Sequence, residues 1–112
     1  MIERHRIDRY IKYKMKEVIY RELNGFKVGI VFADQYVSEL GNTLCEKLDI
    51  DIAAIVDFNS KCINYRCIRD DIHLGKEFAS LYGGGGHPKA AGSQLTKELI
   101  SSVADMVFTL DK

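Results

Sequence analysis

The chain has 112 residues, of which 46% are apolar and one is proline, a size and composition that build one domain around one core. Sixteen Lys and Arg balance sixteen Asp and Glu, so no net positive field draws the whole molecule toward polyanions, and any affinity for phosphate must be local. No apolar run reaches the ~18 residues of a membrane span, the N-terminal region is too charged for a secretory signal, and Cys45, Cys62 and Cys67 lack the spacing of a disulfide framework or a zinc site. The expectation is a cytoplasmic protein that touches no membrane.

In chain order, residues 2–23 place Ile7, Tyr10, Ile11, Met15, Val18, Ile19 and Leu23 at steps of three and four, one face of a helix. The segment carries Arg4, Arg6, Arg9, Lys12, Lys14, Lys16 and Arg21 against Glu3, Asp8, Glu17 and Glu22, and a charged solvated face is a commoner cause of such a pattern than a basic patch for nucleic acid. Asn24 and Gly25 act as a helix stop. Residues 26–32 alternate Phe26, Val28, Ile30 and Phe32 on one face of a strand, and a helix follows with Val37, Leu40, Leu44 and Leu48 at helical spacing and Asp34 as its cap. Residues 50–58 read as a core strand, joined by a short connection to an antiparallel strand over 62–69. A helix over 72–82 ends at the glycines, a short strand lies near Gly92 to Leu95, and Thr96 caps a last helix over 97–110. The predicted fold is α/β: a single compact domain with a mixed sheet flanked by helices, preceded by an N-terminal linker helix (residues 1–24 linker, 25–112 domain).

Between the last two helical patterns stands LYGGGGHPKAAG, residues 81–92. Gly83 alone would serve as a left-handed helix cap, which leaves three glycines without a role. Without Cβ atoms, successive N–H groups of Gly83, Gly84, Gly85 and Gly86 can converge on an anion, and HPKAA, with Pro88 in a first turn, predicts a helix whose N-terminus aims at the same point. The nucleotide-triphosphate loop is excluded because Lys89 does not directly follow the glycine, and the dinucleotide fingerprint because its sixth position would be Pro88 or Lys89. His87 and Lys89 add an imidazole and an ammonium beside the glycines, a set suited to a phosphodiester. His5 and His73 are lone histidines in helical patterns and are taken as solvated.

GGGGHPKAAG, preceded by a helix and by a strand bearing the arginines of NYRCIR, resembles the C-terminal DHH-associated domain of the DHH phosphoesterases over residues 25–112. The resemblance implies a substrate-binding domain in which Gly83–Gly86 present backbone donors to a substrate phosphate and His87 hydrogen-bonds the phosphate at or next to the scissile one. It further implies an arginine that clamps a phosphate or stacks on a base. Arg66 and Arg69 both remain open for that role, and each has an alternative as a surface arginine paired with Asp70 or Asp71.

In that family an N-terminal domain, named for Asp-His-His, holds two manganese ions and performs hydrolysis. This chain has no Asp-His-His and three histidines, so no catalytic or metal-binding residue is expected in it. Residues 1–112 are therefore expected to be a fragment of a longer enzyme. The implied partners are a short single-stranded nucleic acid or a dinucleotide, the DHH catalytic domain of the same polypeptide and, as a further option, a second copy in a homodimer. Two other classes compete: a nucleic-acid-binding module like the C-terminal domain of alanyl-tRNA synthetase, whose glycine run is typically followed by arginine, and a purely structural α/β module.

Overall fold

In a computed structural model, which describes residues 2–98, 101 and 105, the chain opens with helix α1 (Ile2–Met15). The helix stops well before residue 23. The N–H groups of Lys16 and Glu17 close a turn on the carbonyls of Tyr13 and Lys14 (3.2 and 2.9 Å), and Ile19–Leu23 then form strand β1. Strand β1 pairs antiparallel with β2 (Phe26–Phe32) across Asn24 (φ 54°) and Gly25 (φ 84°). Two successive positive φ angles are the type I′ turn that Asn-Gly favours, so this dipeptide closes a hairpin where the sequence pattern suggested a helix stop. Ile19 and Leu23 meet the helical spacing, but β-branched and aromatic neighbours suit the pleated surface they occupy.

From β2 the chain crosses through helix α2 (Val37–Lys47) to β3 (Ile52–Asp57), parallel to β2. Asp34 does not cap α2. Tyr36 occupies that position in a left-handed conformation with no side-chain cap on the helix, and Asp34 instead accepts from Asn59 Nδ2 at 2.6 Å. Strand β3 forms the expected antiparallel hairpin with β4 (Cys62–Arg66), its turn fixed by Asp57 Oδ1 accepting from the N–H groups of Asn59 and Ser60 (3.0 and 3.2 Å). The helix expected over 72–82 is two short pieces, α3 (Leu74–Glu77) and a 3-10 helix (Ala79–Tyr82), broken at Phe78 (φ −127°, ψ −59°). The break lets the Phe78 ring lie buried edge-on to Tyr65 and Phe26 (centroids 5.3 and 6.1 Å).

The glycines then enter strand β5 (Gly85–Gly86), which turns at His87–Lys89 into β6 (Ala90–Gln94). No helix starts at Pro88. Alanines favour helix, but β6 is hydrogen-bonded to a strand on either side, and pairing outweighs propensity. The last helix expected over 97–110 falls largely outside the described residues. The sheet order is β1-β2-β3-β4-β6-β5, with β2 and β3 parallel and the other pairs antiparallel, so the mixed α/β architecture read from the sequence holds.

Alternation along the strands divides the core in two. On one face Val28, Ile52, Ala54, Val56, Ile63 and Tyr65 pack with Ile72, Leu74, Phe78 and Ala79, and Phe26, Ile30 and Phe32 join them. On the other, Val31, Ala53 and Ile55 pack under Leu40, Leu44 and Cys45 of α2 and Ile11 of α1. Burial pushes the Cys45 thiol up to about 11.

Candidate functional site

Each glycine of the run sits where it does for a different reason. Gly83 is the left-handed cap of the 3-10 helix (φ 79°), its N–H donating to Ser80 O. A Cβ on Gly84 would stand 2.1 Å from Gly92 O, and one on Gly86, besides needing φ 143°, would stand 2.7 Å from Ala91 Cα. These three are demanded by the backbone path. Gly85 is exposed, has no positive φ, and a Cβ there would meet nothing within 4 Å. Among the nine glycines of the chain it alone has neither a positive φ nor a close neighbour.

The amides are also more committed than a cradle of all four would require. The N–H of Gly84 bonds Ala79 O (2.9 Å) and that of His87 bonds Ala90 O (2.8 Å). The carbonyls of the turn are engaged as well: His87 O and Pro88 O accept from Gly75 and Leu74 at the start of α3 (3.3 and 2.8 Å), and Lys89 O accepts from Cys67 (3.3 Å). Gly75 is needed for this docking, since a Cβ there would fall 2.3 Å from Gly86 O.

The sheet register brings the sequence-predicted residues together. Ala53, Arg66 and Ala90 lie in one cross-strand row that His87 extends, and Ile55, Asn64, Gly92 and Gly85 lie in the next, with side-chain positions on the face that α2 covers. Strands β6 and β5 continue this face past α2 with Ala90, Gly92 and Gly85. The result is a floor of small residues bordered by Asn64, Arg66 and His87.

Arg66 is laid along α2. Its carbonyl accepts from Cys45 Sγ (3.4 Å), its Cγ passes so close to Gly41 that a Cβ there would be 2.4 Å away, and its Nη2 donates to Ser38 Oγ (2.8 Å). Its Nε is buried and is the single such side-chain atom among the described residues with no hydrogen-bond partner. A buried donor left unpaired on a guanidinium is costly, and such groups concentrate where another molecule completes the bonding.

Arg69 lies past the end of β4 and is held by carboxylates: Nε and Nη2 on Asp71, and Nη1 on Asp51 Oδ1 at 2.7 Å. The Asp51 carboxyl is held below its usual range first by the Lys27 N–H and then by Arg69. Lys89 pairs with Asp70 (2.7 Å), which raises its pKa, and both are well exposed. His87 is exposed at the tip. His5 accepts from Arg9 (3.0 Å), and His73 Nδ1 accepts the Lys76 N–H (3.2 Å) as the cap of α3, a structural role that the sequence pattern did not reveal.

Sequence reasoning missed Ser38, Gly41, Asn64 and Gly92. The period-two positions flanking Arg66 and Gly85 carried a signal for Asn64 and Gly92. Nothing local marks Ser38 or Gly41, which become relevant only when α2 packs on β4. Among the described residues no group of three or more His, Cys, Asp or Glu is placed to hold a metal, and no helix is long and apolar enough to cross a membrane.

No family model matches the sequence. Oligoribonuclease NrnB of Bacillus subtilis is 38% identical over 111 residues, 98% of this chain but 28% of the relative, so the chain spans less than a third of that protein's length. Among solved structures, an exopolyphosphatase-related protein from Bacteroides fragilis aligns with a TM-score of 0.59 and 15% identity, covering 87% of this chain and 32% of that one. A pGpG-specific phosphodiesterase from Vibrio cholerae aligns at 0.54 and 14%, covering 95% and 39%. An uncharacterized protein from Helicobacter pylori aligns at 0.56 and 18%, covering 88% and 30%. These three share the fold. With 38% identity over 98% of its residues, the chain is similar to the C-terminal part of a DHH-family oligoribonuclease, in line with the resemblance that the glycine–histidine motif carries.

Proposed function

We propose that this chain is the substrate-gripping domain of a DHH-type phosphodiesterase and that it holds a phosphate of a short oligonucleotide or dinucleotide on the floor between Arg66 and His87. The observation that carries the reading is Gly85. It is the glycine that the fold does not require, and it lies on the same face as Arg66, whose Nε is buried without a partner. A ligand lying against the strand accounts for both: it approaches where a Cβ would stand, and its phosphate oxygens accept from the guanidinium. His87 supplies a second donor at the tip, while Lys89 and Arg69 add positive charge at a distance because carboxylates already hold them. The identity to an oligoribonuclease supports a nucleotide phosphodiester as the substrate class.

Hydrolysis belongs to a catalytic domain elsewhere in the full-length protein, in the cytoplasm, where manganese would activate water. The described residues of this chain offer no donor set for such an ion, so their part is to bind and orient the phosphodiester. With part of a cleft the affinity is weak, a dissociation constant on the order of 1 mM for a linear dinucleotide. The test is an NMR titration of the chain with linear diadenylate. Perturbations should gather at Ser38, Asn64, Arg66 and Gly83–His87 and should be lost in Gly85→Val and weakened in His87→Ala. Perturbations absent from the hairpin and Arg66 would overturn the reading.

A further inference from the structure

The zero net charge conceals a segregation on α1. At 3.6 residues per turn, His5, Arg6, Arg9, Lys12 and Tyr13 share the side of the helix away from Ile7 and Ile11, and Lys16 follows in the turn that continues it. All six are exposed, Tyr13 by 65%. No carboxylate interrupts this face among the described side chains. Asp8 is turned to Arg4, which also reaches Glu39 of α2 (2.6 Å), and Glu17 is taken by Lys14 (3.3 Å). Arg6, Lys12 and Lys16 have no ion pair among the described residues, and Arg9 donates only to His5. Four cations and an aromatic ring thus stand over about 15 Å of helix with their charges uncompensated.

The face also has a position relative to the site. Helices α1 and α2 lie on the same side of the sheet as Arg66. In the first turn of α2, adjacent residues reach to either side: Glu39 bonds Arg4 of α1, and Ser38 bonds Arg66. We infer that the outer face of α1 is a second contact for single-stranded nucleic acid, a track for the phosphates of a strand longer than a dinucleotide, with Tyr13 as a platform on which a base stacks. The inference rests on the hairpin reading for the strand's other end. Its own basis is the pattern by which single strands are held without sequence preference, cations along the backbone and an exposed aromatic ring.

The experiment compares twelve-nucleotide oligoadenylate with linear diadenylate on the purified chain, between about 50 and 200 mM salt. In the triple variant Arg9→Gln, Lys12→Gln, Lys16→Gln, affinity for the longer strand should fall by about tenfold at low salt. The slope of log affinity against log salt should become shallower by about 2, three lost phosphate contacts at about 0.7 each. The diadenylate shifts at Gly85 and Arg66 should not change. A triple variant that binds the longer strand within twofold of wild type with an unchanged slope would overturn the inference. So would a poly-glutamate peptide that binds α1 as tightly as the oligoadenylate, which would make the face a general acid-binding patch. Lys12→Arg with Lys16→Arg should keep both affinity and slope, and loss there would also count against the track. If diadenylate never perturbs the hairpin while the triple variant still loses the longer strand, the hairpin reading falls and the track stands.

Discussion

The two edges of the sheet are both hairpins with glycine in the turn region, and they differ in what the glycines are for. At the β1–β2 edge, Asn24 and Gly25 make a two-residue turn whose positive φ angles are its whole requirement, and the edge strand carries Arg21 and Glu22 into solvent. At the β5–β6 edge three of four glycines serve close backbone approach or a left-handed cap, and the fourth serves nothing within the chain. Steric demand can be subtracted residue by residue, and what remains points outward.

The largest effect that would sharpen this contrast is Gly84→Val. Its Cβ would meet a backbone carbonyl that cannot move without parting β5 from β6, so the loss should be about 3 kcal/mol, read as a fall in thermal midpoint. A midpoint near wild type would show that the hairpin is looser than the geometry requires. Gly41→Ala should cost somewhat less, about 2 kcal/mol, because a methyl there would press on Cγ and Cβ of Arg66 and on Ile55 Cδ1, side-chain atoms that can give only by shifting the base of Arg66. Its consequence lies in binding: the guanidinium leaves Ser38, and affinity for diadenylate should fall about tenfold although the substitution is on a helix face away from the glycines.

Acid should separate the two arginines. The folded Asp51 carboxyl binds protons less tightly than the unfolded one, so its stabilising contribution is complete above the unfolded value of about 3.9 and is lost as pH falls through the lower folded value. Asp51→Asn, which takes a carboxylate from Arg69, should flatten the stability profile below about pH 4, whereas Arg66→Gln should leave that slope as it is. Chemical denaturation across that range reads both. The smallest effect is expected from Gly85→Ala, within about 0.5 kcal/mol of wild-type stability, since a methyl there meets nothing. A large loss would mean that Gly85 has a structural role after all and would remove the main support for the site.

The sheet was legible wherever hydrophobic alternation was strict. Phe26, Val28, Ile30 and Phe32 do share one face, and β3 and β4 form the hairpin their short connection implies. The errors fall where a local pattern fits two structures. Ile19 and Leu23 satisfy helical spacing and a strand alike, and only the pairing of Ile19 with Ile30 decides between them. Pro88 suits a first helical turn and a tight connection equally, and capture of its carbonyl by α3 favours the second. Of the candidate site, the glycines, His87 and the pair of arginines were visible in the sequence. Which arginine faces the floor was not, because that depends on where β4 ends and on carboxylates at Asp51 and Asp71, one close in sequence and one distant.

The turn from His87 to Ala90 has every carbonyl occupied by an amide of the protein: Gly75, Leu74, Cys67 and His87 itself take one each. Loops that cage potassium or calcium do so in part by turning such oxygens toward the ion. Here the oxygens are drawn inward, so the tip has little with which to replace the hydration shell of a hard cation. Side-chain N–H groups are what it shows to solvent. The backbone of the tip is thereby poorly suited to hold a cation, and that follows from where α3 begins: shifting Leu74 and Gly75 by one residue would release two carbonyls to solvent.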